Sequence, residues 1–261
     1  MTDRRQRQKE MRAARAEEAR RLASRKEMRR RIGIALGIGL SLAAGFLIVG
    51  SLANRQPTLP AAYLAFRDLP TACEAQPPPL PEPVAPYESP ADQQVDPAVP
   101  VTARLLTSCG EVEITLEPGG HPATVNSFVF LARENFYDGQ VFHRIFPGFV
   151  IQGGDPRADG SGGPGYLLPD EFPPTEFVFE PGVVAMANRG SGSTGSQFFI
   201  VIGEDAAVLQ NTFNVLGRVT GGEETLERIA AVPTAVQPGS AERSRPLEAV
   251  YIEDVVIEVG S

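Results

Sequence analysis

The sequence predicts a mainly β fold, a closed antiparallel barrel capped at its ends by two helices. It also predicts a single transmembrane helix and a proline-rich linker ahead of the barrel. Three observations carry this. Residues 101–261 consist of short apolar runs separated by Gly and Pro turns. Two segments among them have helical rather than alternating periodicity. Upstream, residues 32–53 form a run without a single charge.

Within residues 101–261 the elements follow in order. Val101–Ser108 and Glu111–Leu116 alternate around Cys109-Gly110, which predicts a hairpin. His121–Asn135 carries apolar residues at Val125, Phe128, Val129 and Leu131, the spacing of an amphipathic helix. Val141–Phe146 and Phe149–Gln152 read as strands joined at Pro147-Gly148. Val183–Ala187, Gln197–Ile202 and Phe213–Val219 are further strands, and Gly222–Ala230 is a second helix opened by Glu223 and Glu224. Tyr251–Val259 is the last strand. Closing such a set into a barrel leaves no exposed sheet edge.

The net charge of -8 conceals an asymmetry. Residues 1–31 hold 13 Lys+Arg against 5 Asp+Glu, whereas the rest of the chain is strongly acidic. The run at 32–53 would be about 33 Å long as a helix, enough to cross a hydrocarbon core of roughly 30 Å. Arg29, Arg30 and Arg31 abut it and should remain cytoplasmic, which sends the residues after Ala53 to the other side. A cleaved signal peptide is the competing reading, with Ser51 and Ala53 at cleavage-site spacing; the long head and long apolar run favour an uncleaved anchor. Gly33, Gly37, Ser41 and Gly45 form a small-residue stripe, but membrane helices are rich in glycine generally, so the oligomeric state stays open. The basic head lacks aromatic residues to stack on bases, and no nucleic-acid partner is expected.

Residues 54–100 contain 12 prolines, including the run PPPLPEP at 77–83. This composition predicts an extended, semi-rigid spacer without helix or sheet ladder, lifting the following domain off the membrane. Cys73 lies in the spacer and Cys109 in the first hairpin. Two cysteines in an extracytoplasmic segment favour a disulfide between them; two free thiols are the alternative. No CxxC or Cys/His cluster is present, so no metal site is expected.

Two longer stretches carry the chemistry: VFHRIFPGFVIQGGD at 141–155 and VVAMANRGSGSTGSQFFIV at 183–201. Together, in this order and spacing, they resemble the cyclophilin family of peptidyl-prolyl cis/trans isomerases, over about residues 101–260. The resemblance implies eight antiparallel strands with a helix over each opening. It implies an enzyme acting on proline-containing polypeptides and needing no cofactor. Rotation about an Xaa-Pro bond is opposed by a barrier of about 20 kcal/mol and takes tens to hundreds of seconds uncatalysed. Lowering it requires an apolar seat for the proline ring and a donor aimed at the imide nitrogen, which becomes basic as the bond twists. By resemblance Arg144 is that donor, and Gln152 bonds the substrate carbonyl and helps hold the arginine. Phe149, Phe199 and Leu209 match the apolar walls, and Asn188 and Gln197 match positions that bind the substrate backbone. Ala187 belongs to the matched stretch as well.

The sequence departs from the family pattern in three places. The usual pocket tryptophan falls on Val208 and the usual histidine on Phe213, and the chain has no tryptophan at all. These changes shallow one rim of the site and favour a rival reading, a non-catalytic module or chaperone that grips proline segments. Arg189 stands where a small residue is usual. It is expected to border the neighbouring side-chain pocket and to favour acidic residues before the proline; equal turnover of Glu- and Lys-bearing peptides would count against that. His143 invites an acid–base role, but strand alternation puts it on the face opposite Arg144. Gly160-Ser-Gly-Gly-Pro-Gly165 formally matches GxGxxG, yet it follows no βα pattern and reads as a loop near the substrate groove. The expectation is a membrane-anchored isomerase of secreted or membrane proteins, with residues 1–31 cytoplasmic and 101–261 outside.

Overall fold

A computed structural model describes residues 58–82, 85–237 and 239–260. The basic head at 1–31 and the apolar run at 32–53 lie outside the described residues. Among those described, no helix is long and apolar enough to cross a membrane. The unit described here begins at Thr58.

Its first hairpin is β1 (Val101–Thr107) and β2 (Gly110–Leu116), with buried and part-exposed residues alternating along both. Next come β3 (Arg144–Phe146), β4 (Val150–Gly153), β5 (Val183–Met186), β6 (Phe198–Val201) and β7 (Val215–Gly221). A small hairpin, β8 (Thr234–Val236) and β9 (Arg243–Pro246), precedes β10 (Ile252–Val259). Eight strands form one curled antiparallel sheet in the order β10-β1-β2-β7-β5-β6-β4-β3, while β8 and β9 pair only with each other.

The sheet is not a closed barrel, which corrects the expectation. At the seam Gly139 N donates to Ile252 O at 2.8 Å, Ile252 N to Gln140 O at 2.8 Å and Phe142 N to Val250 O at 3.0 Å. Val141 and Tyr251 form an isolated antiparallel bridge there. That register carries the chain from Arg144 onward towards the residues that precede β10. These include β9, whose ladder already runs to β8. Among the described residues β3 therefore keeps a free edge, and β9 packs beside it without a ladder.

Among the described residues three α-helices surround the sheet: α1 (Ala61–Arg67), α2 (Pro122–Arg133) and α3 (Glu223–Ala230). The α2 helix packs on β10 and β7, and Val125, Phe128, Val129 and Leu131 are fully buried, as the periodicity predicted. Its N-terminal amides are capped from far along the chain: Glu171 accepts from Ala123 N at 2.9 Å and Thr124 N at 2.8 Å. The α3 helix packs on β2. It starts after Gly222, whose φ of 91° and close approach to Glu111 O exclude a side chain.

The proline-rich segment is the second correction. From Thr58 on it is part of the folded unit, not an extended spacer. Residues 61–69 are free of proline, so a helix is permitted there. Tyr63 and Phe66, three apart on α1, are buried with Val141, Ala249 and Tyr251 over the seam of the sheet. Tyr63 donates to Gly139 O at 2.9 Å. Ala72 N and Ala249 N donate to Ala249 O and Pro70 O at 2.9 and 2.8 Å. Further along, the Tyr87 ring meets Phe130 edge-on at 5.1 Å, and Gln93 N donates to Asn126 Oδ1 at 2.7 Å. The segment is a belt held by specific bonds. Cys73 and Cys109 are joined, with Cα atoms 5.2 Å apart and a sequence separation of 36.

Candidate active site

The site is built on one row across the sheet. Arg144 on β3 pairs in register with Gln152 on β4, Gln152 with Phe199 on β6, and Phe199 with Ala185 on β5. Side chains alternate faces along a strand, so these four point to the same side. The neighbouring row, Ile145, Ile151, Ile200 and Val184, points to the other side and belongs to the main core. One face of the sheet thus supplies stability and the other presents the polar and aromatic groups.

On the presenting face an apolar cluster is centred on buried Phe199, Phe179 and Val215. Phe149, Ala187, Leu209 and Phe213 pack against it while remaining partly exposed. Phe213 meets Phe199 edge-on at 5.5 Å. Val208 stands apart from the other residues named from sequence: it is 83% exposed at the end of the 3₁₀ turn Glu204–Val208 and does not join the cluster.

The polar groups form a chain. Arg144 donates from Nη1 to Gln152 Oε1 at 3.3 Å, and Gln152 donates from Nε2 to Gln197 Oε1 at 3.0 Å. Gln197 in turn donates to the carbonyls of Gly160 and Gly162 at 3.1 and 2.9 Å. The guanidinium lies 5.7 and 5.6 Å from the ring centroids of Phe146 and Phe149, which flank it as cation–π partners. Beside Gln152 and Gln197 opens a cavity of about 590 Å³, lined also by Ala187, Asn188, Arg189 and the glycine-rich loop. Asn188 donates to Thr212 O at 2.7 Å, and the Arg189 side chain reaches Gly160 O across the cavity mouth.

Sequence reasoning missed three contributors. Glu242, just before β9, grips Arg144: Nε donates to Oε1 at 2.7 Å and Nη2 to Oε2 at 2.9 Å. This pairing holds the Glu242 carboxyl below the usual carboxylate range. No local signal marks it, because 98 residues separate the two. Asp155 is fully buried and accepts from Arg157 N at 2.7 Å and Gly160 N at 2.5 Å, folding the glycine-rich loop back. Its place directly after Gly153-Gly154 was the available clue. Gly154 is the third: its φ is +77°, and a Cβ there would collide with Ser196 O.

His143 lines a different cavity, of about 390 Å³, with Phe66, Leu69, Ala158 and Arg245. Burial pushes its pKa down, only partly countered by Asp155. His121, the residue before α2, donates from Nδ1 to Glu171 O at 2.7 Å. Among the described residues no group of three or more His, Cys, Asp or Glu side chains is arranged to hold a metal ion.

Residues 102–257 match the family model described as cyclophilin type peptidyl-prolyl cis-trans isomerase. A peptidyl-prolyl cis-trans isomerase B of Streptomyces anulatus is 42% identical over 173 residues, covering 60% of this chain and 95% of that protein. The isomerase B of Bacillus subtilis is 45% identical over 120 residues, covering 46% of this chain and 83% of that protein. Among solved structures, a Cryptosporidium parvum cyclophilin type isomerase aligns with a TM-score of 0.55 and 28% identity, over 61% of this chain and 98% of that one. The same parasite protein has also been solved in the presence of the dipeptide Ala-Pro.

Proposed function

The chain belongs to the cyclophilin-type peptidyl-prolyl cis-trans isomerase family, and we propose that it isomerises Xaa-Pro bonds of secreted or membrane proteins from the outer face of a membrane. The substrate proline would rest on the part-exposed apolar cluster of Phe149, Leu209 and Phe213 over Phe199. Arg144 would then donate to the imide nitrogen. As the bond twists, amide resonance is lost and the nitrogen lone pair becomes a hydrogen-bond acceptor. A donor fixed in advance at that point binds the twisted state better than either planar isomer, which is the requirement for catalysis. Gln152, fixed between Arg144 and Gln197, would bond the substrate carbonyl, with Asn188 and Gln197 along the peptide backbone. The observation that carries this is the register that puts Arg144, Gln152 and Phe199 in one row on one face.

The outward location draws on two features. The apolar run at 32–53 with its preceding arginines reads as an anchor with the head inside. The Cys73–Cys109 disulfide fits an oxidising compartment. Protease treatment of intact spheroplasts tests it. Residues 58–261 should be digested from outside while a tag at residue 1 stays protected. Protection of both ends would place the isomerase inside and end the proposal.

A further inference from the structure

We propose that Glu242 is a positioning residue for the isomerase reaction, holding the Arg144 guanidinium in the one orientation that turns its free N–H groups to the substrate. This rests on the reading of Arg144 as the donor to the imide nitrogen. An arginine side chain has four rotatable bonds and, unrestrained, samples many rotamers. β3, a three-residue strand with a free edge among the described residues, adds only the Phe146 ring to its restraint. The bidentate grip of Glu242 on Nε and Nη2 fixes both the place and the plane of the fork. With Nη1 bonded to Gln152, two of the five guanidinium N–H groups remain for substrate.

Glu242 is itself held rigidly. Its carbonyl accepts from Gln237 N at 2.7 Å, and its N–H donates to Ser240 Oγ at 3.0 Å. The flanking ladder pairs Thr234 with Pro246 and Ala235 with Arg245, and Leu247 N donates to Pro233 O at 2.8 Å. The β8–β9 hairpin is thus a fixed arm placed against the open edge of the sheet. Both partners of the pair are about one-quarter exposed, so it is partly shielded from competing water. A donor oriented before the substrate arrives needs no reorganisation during the reaction.

The test measures kcat and KM separately for an Xaa-Pro peptide with the full-length chain, its Glu242→Ala and Glu242→Gln variants, and Arg144→Ala. Glu242→Ala should lower kcat roughly tenfold or more with KM unchanged, because the lost interaction matters only in the twisted state. Glu242→Gln, which can accept one of the two N–H groups, should fall between. The Arg144 Nε–H resonance should be sharp and slowly exchanging in the parent and should broaden in Glu242→Ala. Thermal unfolding accompanies each measurement, and if Glu242→Ala fails to fold, the near-isosteric Gln variant decides. Unchanged or raised kcat in the folded variants, with Arg144→Ala inactive, overturns the positioning role alone. A fully active Arg144→Ala instead overturns the reading of Arg144 on which the proposal stands.

Discussion

Arg144→Ala is expected to lower kcat/KM for a short Xaa-Pro peptide by roughly 10²–10³-fold, the effect of removing one preorganised donor from a charge-stabilising site. That corresponds to about 3–4 kcal/mol of lost transition-state stabilisation. The size follows from the arrangement. Phe146 and Phe149 flank the guanidinium, and Gln152 and Glu242 anchor it, so little of its binding strength goes into ordering it during reaction. Arg144→Lys should recover little activity, since an ammonium is a point charge without the fork that Glu242 and Gln152 grip. Folding should be nearly unaffected, because Glu242 lies at the surface side of the sheet, 26% exposed, and rehydrates when its partner is removed. Peptide isomerisation followed by NMR exchange, with unfolding measured in parallel, checks both statements. A variant within threefold of the parent would remove Arg144 from the mechanism. The same measurement bears on the rival reading of a proline-binding module, which predicts peptide binding with no turnover in the parent itself.

Opening the Cys73–Cys109 bond should have the largest effect on stability. Loop closure over 36 residues is worth up to about 4 kcal/mol in the chain-entropy model. Cys73 is exposed and Cys109 is buried in the main core, so Cys73→Ser removes the crosslink while leaving a small apolar thiol in place. The loss should lower the melting temperature by roughly 10 °C, taking about 2–4 °C per kcal/mol for a unit of this size. It also unties the belt, because Cys73 immediately follows the bridge at Thr71 and Ala249. Reductant should reproduce the shift in the parent and add nothing to Cys73→Ser. A shift below 2 °C would mean that the bonds of Tyr63 and Ala72 hold the belt without the disulfide.

Elements with local signatures were legible. The first hairpin and α2 announce themselves through alternation, turn residues and 3.6-residue spacing, all contained within a dozen residues. The Arg144 and Gln152 stretch was legible for the same reason: both lie in one short hairpin around Pro147-Gly148, and the hairpin register brings them together. The belt was misread because proline was averaged over residues 54–100, which hid a proline-free interval long enough for two helical turns. The β8–β9 hairpin went unseen because strands of three and four residues are too short to show a period.

By itself the sequence determined the strands and helices that local pattern marks and, through its resemblance to the cyclophilin family, the residues proposed to donate to the imide nitrogen and to seat a proline ring. Those are properties of neighbours along the chain. Only the tertiary structure decided that the sheet stays open at β3, that the belt seals the seam, and that Glu242 reaches the arginine. Each of these joins residues from several dozen to well over a hundred positions apart. Which distant groups meet depends on how the whole sheet curls, and no short stretch of sequence contains that.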